Sequence, residues 1–167
     1  MIIVRREVPS ERPVILDVIR AAFRKGSEEP IEVGLTEKLF DDGYIPELSL
    51  VAITDGQIVG YVIGTVGHIG DTEAIGIGPL AVLPKFQGQG VGQALMHALI
   101  GAAEAVHGRV LALLGEPEYY SRFGFRAGSE VGVESPDAAW GHYFQALQLT
   151  DGPVNGAFRY AKPFDEL

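Results

Sequence analysis

Residues 73 to 114 constrain this chain more than any other stretch. "EAIGIGPLAVL" (73 to 83) reads as a strand, three glycines (Gly88, Gly90, Gly92) then fall within five positions, and "RVLALL" (109 to 114) reads as a buried strand. Between the glycines and that last strand, Val91, Leu95, Ala98, Leu99, Ala102 and Val106 recur at the three- and four-residue spacing of one helical face. Strand, helix and strand in that order form a crossover unit, so this part of the chain belongs in a sheet with a helix packed upon it.

The flanking sequence extends the same architecture. "IIVRREV" (2 to 8) alternates apolar and charged residues as a half-buried strand does. Ser10 offers an N-cap to a helix that tolerates Pro13 in its first turn, and along it Ile15, Val18, Ile19, Ala22 and Phe23 keep helical spacing. A second short helix is expected around 35 to 42 ("LTEKLFDD"), ending at Gly43. "LSLVAITDGQIVGYVIGTV" (48 to 66) predicts two strands joined by Asp55-Gly56, with the strand at 73 to 83 antiparallel to the second of them. "PEYYSRF" suits a short helix, while "YFQALQL" (143 to 149) and "GAFRYA" (156 to 161) read as late strands. No linker, repeat or low-complexity segment interrupts the 167 residues, of which 47% are hydrophobic. One domain, residues 1–167, is therefore expected: an α/β (α+β) fold with a mixed sheet flanked by helices.

Composition narrows the chemistry. Without cysteine there is no disulfide, thiolate metal site or cysteine nucleophile, and the four histidines (68, 97, 107, 142) lack ligand spacing, so no metal is expected. A formal charge of −9 argues against non-specific nucleic-acid binding; it suits either cationic substrates or plain solubility. No 18-residue apolar run is present to span a membrane, and the charges in "MIIVRREVPSER" are unlike a signal peptide, which makes a cytoplasmic location the expectation.

The glycines carry the sharper signal. At a strand-to-helix junction, bare backbone N–H groups can converge on an anion, and the helix dipole adds favourable potential. Glycine gains access to φ > 0 there and has no side chain in the way, which offsets an entropy cost of roughly 0.5 to 1 kcal/mol each. The alternative is a flexible turn. A dinucleotide fingerprint fails, because the third glycine position is Gln93 counted from Gly88 and Leu95 counted from Gly90. A P-loop fails as well, since no lysine or hydroxyl residue follows Gly92.

Gln87-Gly88-Gln89-Gly90-Val91-Gly92 does resemble, at every defined position, the Q/R-x-x-G-x-G/A signature with which the GNAT N-acetyltransferase superfamily binds acetyl-coenzyme A. "LAV" and Pro84 just upstream are similar to its L-x-V-x-P strand end, and Tyr120-Ser121-Arg122-Phe123-Gly124-Phe125 looks like its Y-x-x-x-G-F element. "LGEPEYYSRFGF", "YFQALQL" and "NGAFRY" further resemble a group of small bacterial predicted N-acetyltransferases across most of the chain. The resemblance implies a GNAT fold: a twisted, mostly antiparallel mixed sheet whose strands at 73 to 83 and 109 to 114 splay apart around the pantetheine arm. It also implies transfer of an acetyl group from acetyl-CoA to a primary amine by direct attack on the thioester, without a metal.

Specific residues take roles from that resemblance. Leu80, Ala81 and Val82 would bind the arm through backbone N–H and C=O groups, as an added strand does. Gln87, Gly88, Gln89, Gly90, Val91 and Gly92 would hold the pyrophosphate, helped by the first-turn N–H of Gln93. Val82 N–H is the expected oxyanion donor and Tyr120 the expected general acid, a phenol with an ordinary pKa of about 10 facing a thiol near ~8.5. Tyr119 is the weaker rival and is expected in the core. Phe123 is expected to pack and touch the coenzyme, and Arg122 to neutralise a phosphate or simply solubilise. Gly76 stands where some members carry a glutamate, leaving the base unassigned among Glu73, Glu116, Glu118 and His68 acting through water. For the acceptor, "GSEEPIEVGLTEKLFDDG" (26 to 43) brings six acidic residues to one side, and Trp140, His142 and Tyr143 are candidates for the other. Gly76 and Gly78 suggest a bulge or a close approach within their strand. A monomer or homodimer is expected, with "YFQALQL" paired either across a dimer axis or within one chain. The rival from another class is a non-catalytic acyl-CoA binding or sensing domain.

Overall fold

The computed structural model describes all of residues 1–167, and its central feature is a single open sheet around which the helices are arranged. The elements run β1 (Ile3–Arg6), α1 (Arg12–Phe23), α2 (Ile31–Leu39), β2 (Tyr44–Thr54), β3 (Gln57–Ile69), β4 (Thr72–Val82), α3 (Val91–Ala105), β5 (Val110–Leu114), α4 (Pro117–Tyr120), β6 (Arg126–Ala127), β7 (Val133–Glu134), β8 (Phe144–Gln148) and β9 (Gly156–Arg159). Spatial order is β1-β2-β3-β4-β5-β8-β6, with β9 joining the far end of β3 and carrying β7. Every pairing along that main order is antiparallel except β4 with β5, the two strands of the crossover. The hairpin turn forms at Asp55 and Gly56, both at positive φ (50° and 76°), as a tight turn matched to strand twist requires.

Alternation along the strands sends side chains into distinct cores on the two faces. One face packs Leu50, Val62, Ile77, Leu111 and Leu113 against Leu95, Met96 and Leu99 of α3. The other face has two clusters. Under α1 and α2, Ile15, Ile19 and Leu39 meet Val51, Tyr61, Ile63 and Ala81. Beneath the C-terminal segment, Ala112, Phe144, Ala146 and Phe158 pack together. Leu95 and Leu99 are fully buried, a contribution of about 1.5–3 kcal/mol each. Gly60 permits the close seating of α3: a Cβ there would lie 2.9 Å from Val91 Cγ1.

Several expectations are corrected locally. Ser10 caps nothing; the Glu11 carboxylate takes the Val8 N–H at 2.8 Å and is itself held by Arg5 at 2.7 Å. The second helix starts at Ile31, directly after Pro30, and stops at Leu39. The strand reading "YFQALQL" pairs inside the chain, with β5 along Phe144–Gln148 and with β6 at Gln145 and Ala146 only. The two-residue strands β6 and β7 have no sequence signal. No helix is long and apolar enough to cross a membrane.

Candidate active site

The site begins where β4 and β5 part. Their parallel pairing is confined to Ile75 with Leu111 and Gly76 with Ala112, after which each strand runs on without the other. On the opposite edge of β4 the register against β3 slips between Ile77 and Leu80, placing an extra residue at Gly78–Pro79, with Gly78 at φ +142°. That bulge is the irregularity expected from the strand's glycines. Gly76 marks a close approach instead: a Cβ there would fall 2.7 Å from Cδ1 of Tyr160.

Beyond the bulge, backbone direction sorts the residues. Leu83 N–H bonds Val59 C=O on the β3 side at 2.8 Å, so by antiparallel alternation Ala81 faces β3 as well, opposite Tyr61. Leu80 and Val82 turn their N–H and C=O groups toward the gap. The expectation that Ala81 offers backbone groups to a ligand is thus corrected: its main chain is spent on β3 and its side chain is buried beneath α1.

At the mouth of the gap lies a cleft of about 400 Å³ lined by Leu80, Val82, Phe86, the loop from Gln87, and Tyr119 with Arg122. Gly88 and Gly90 both sit at positive φ (75° and 88°), with open space where a Cβ would be. Gly90 is the N-cap of α3 and no side chain caps that end. The first helical bond is Ala94 N–H to Gly90 C=O at 3.0 Å, so the N–H groups of Val91, Gly92 and Gln93 leave the helix end without an acceptor in the chain. Partial positive charge gathers at this end of a 15-residue helix, and Arg122 stands across the cleft. An anionic, phosphate-bearing ligand fits that donor set.

Not every predicted residue reaches the cleft. Gln87 lines it, yet its Nε2 donates to Val82 C=O at 3.1 Å, tying the loop to the strand end. Gln89 turns away, donating to Lys85 C=O at 3.3 Å. Phe123 packs edge-on against His97, ring centroids 5.0 Å apart, and does not line the cleft. The two tyrosines divide differently from expectation. Tyr119 lines the cleft, its hydroxyl lying 2.9 Å from where a Gly92 Cβ would be and its ring under Arg122 Cζ at 4.6 Å. Phe86 is likewise a lining residue that the sequence reading missed. Tyr120 lies deeper, its ring seated on the bare backbone of Gly115 just past the end of β5 and against Phe125. Burial, with a smaller contribution from neighbouring Tyr119, pushes the Tyr120 phenol up to about 12. It is a proton holder throughout the neutral range.

The chain is similar to known proteins along its length. A family profile described as "Acetyltransferase (GNAT) domain" matches residues 46–127, the stretch from β2 to β6. The Escherichia coli K12 protein named "Uncharacterized N-acetyltransferase YhbS" is 31% identical over 159 residues, covering 92% of this chain and 91% of that protein. Among solved structures, a GNAT family acetyltransferase from Brucella melitensis in complex with acetyl-CoA superposes with a TM-score of 0.80 at 31% identity over 99% of both chains. E. coli YhbS in complex with CoA gives 0.88 at 29% identity, over 98% of this chain and 92% of that one. The profile and these relatives define an acyltransferase of the GNAT class. The chain belongs to the GNAT N-acetyltransferase family.

Proposed function

We propose that this enzyme transfers an acetyl group from acetyl-CoA to a primary amine by direct attack, with both substrates held at the gap between β4 and β5. Bound acetyl-CoA supplies an activated acyl carbon and a thiolate leaving group. The observation that carries the reading is one cleft that combines the uncapped end of α3 with the gap-facing backbone of Leu80 and Val82, while the Tyr120 ring lies on Gly115 just past the end of β5.

Each of these has a defined task. The N–H groups of residues 88 to 93 and the Arg122 guanidinium hold the pyrophosphate. Of the two gap-facing amides, Val82 lies nearer the cradle and Leu80 is the first beyond the bulge, about 6.8 Å deeper along the strand. The thioester end of an arm anchored at the cradle reaches the deeper position. Leu80 N–H is therefore the oxyanion contact in place of Val82 N–H, and Val82 fixes the arm. Tyr120 holds a proton at Oη for the departing sulfur. Position 76 supplies no carboxylate, its space being occupied by the Tyr160 ring.

The test is thiol release from acetyl-CoA by the purified protein across a panel of amines, alongside calorimetric titration of the coenzyme. Amine-dependent release is expected. Tight coenzyme binding without turnover on any amine would instead identify an acyl-CoA sensor.

A further inference from the structure

We infer that the acceptor is a small primary amine carried on an aromatic or bulky apolar body, and that it docks in the cavity past β5 walled by Leu114, Trp140 and Tyr143 with Glu116 at its rim. This rests on the acetyl-transfer reading above. The cavity is about 360 Å³ and also includes Gly115 and Ala139. Alternation places it: Leu113 belongs to the core under α3, so Leu114 points to the opposite face, where Trp140 sits against Phe144 and Tyr160 at centroid distances of 6.4 Å. Gly115 joins cavity to chemistry. The Tyr120 ring lies against it on the α3 side, so proton holder and cavity flank one short segment of backbone.

The walls state what they accept. Leu114 is 47% exposed and Tyr143 45%, and both line the hollow that includes Gly115, against which the Tyr120 ring lies from the other side. Aromatic faces attract both flat apolar groups and cations. Glu116 is the single charged residue of the lining, and none of the ion pairs in the chain engages it. One carboxylate among apolar walls matches one ammonium on an apolar body. A polyamine would need further anions there. An extended peptide cannot add here as a further strand, since β8 covers that edge of β5 through the Leu114–Phe144 pair. The volume also lies at the small end of ligand pockets, about 300–1,000 Å³.

Trp140 is the only tryptophan, which makes its emission a direct reporter of the cavity. Full-length protein is titrated with phenethylamine, spermidine and a short peptide with a free N-terminus, and the same amines are assayed with acetyl-CoA. Phenethylamine is expected to shift Trp140 emission saturably and to exceed spermidine and peptide at least 10-fold in kcat/KM. The ammonium that Glu116 holds is also the attacking nitrogen and must give up a proton to that carboxylate or a water beside it, so Glu116→Gln is expected to raise KM about 10-fold and to lower kcat as well, with coenzyme Kd nearly unmoved. The inference is overturned if phenethylamine leaves the emission flat, if spermidine or the peptide is the better substrate, or if Glu116→Gln leaves KM unaltered. Saturable emission with coenzyme binding and no acetylation of any amine has a separate meaning: the cavity stands and acetyl transfer falls.

Discussion

The coenzyme side and the acceptor side of the gap are built from different materials. Gly88 through Gln93 is one continuous stretch acting through backbone N–H groups, and its geometry follows from two positive-φ glycines and one helix end. The acceptor side we propose is assembled from side chains at Leu114, Glu116, Trp140 and Tyr143, brought together by β5–β8 pairing. A backbone site serves one invariant ligand and tolerates change in neighbouring side chains. A side-chain site can change its preference one residue at a time.

The largest effect should come from attacking the backbone side. Gly90→Val places a β-branched residue at φ +88°, which costs about 1–2 kcal/mol locally, and it crowds N–H groups whose charge-assisted bonds are each worth ~1.5–3 kcal/mol. Acetyl-CoA affinity should fall about 10³-fold by calorimetry. Unchanged affinity in a folded variant would remove the cradle from the account. The acceptor cavity lies outside this loop, so Trp140 emission should still respond to amine.

Next comes the group between the two sides. Tyr120→Phe keeps the ring on Gly115 and deletes the proton, so kcat should fall about 10²-fold with little change in coenzyme Kd. Tyr119→Phe is the control, and the cleft geometry gives it the opposite signature: a few-fold loss of coenzyme affinity with kcat retained. If both variants behave alike, the division of labour between the tyrosines is wrong.

This contrast also explains what could be read before the structure. The glycine turn at Gly88 and Gly90 ahead of α3, the hairpin at Asp55-Gly56 and the crossover through α3 were legible because each is local in sequence. Orientation was not legible. Nothing in "LAV" says that Ala81 faces β3 while its neighbours face the gap, since one register shift at Gly78–Pro79 decides it. Adjacent Tyr119 and Tyr120 differ because a short helix turns one toward Gly92 and the other onto Gly115. The Tyr160 ring over Gly76 joins residues 84 positions apart, a contact that local pattern cannot contain.

A smaller effect is expected from the core beneath the far edge of β4, where Tyr61 pairs with Ala81 and turns away from the gap. Tyr61 and Ser49 share a 2.6 Å hydrogen bond in the core under α1, both fully buried. Tyr61→Phe leaves Ser49 Oγ without that partner and should cost about 1–3 kcal/mol in denaturant unfolding. Coenzyme affinity and kcat should stay within twofold. A kinetic change larger than the stability change would mean that this core is coupled to the gap, and the comparison would lose its boundary.

The smallest effect over the ordinary range concerns pH. Burial raises the Tyr120 phenol to about 12, so the neutral, protonated form is the one the fold prefers. A raised folded-state pKa contributes stability that is fully present below the unfolded value of about 10 and is lost as pH rises through about 12. Burial also raises Tyr61 and Tyr160, which adds to the same alkaline loss. The phenol should therefore hold its proton across the whole working range, and kcat should show no Tyr120-dependent basic limb below pH 10. Measured with saturating amine, wild-type and Tyr119→Phe profiles should differ by less than twofold in shape between pH 7 and 10, while the unfolding midpoint begins to drop only above that range. A limb in kcat near pH 8 or 9 that disappears in Tyr120→Phe would show a far more acidic phenol, one ionised by a neighbour rather than protected by burial. The coenzyme side would then owe its chemistry to side-chain charge, as the acceptor side does.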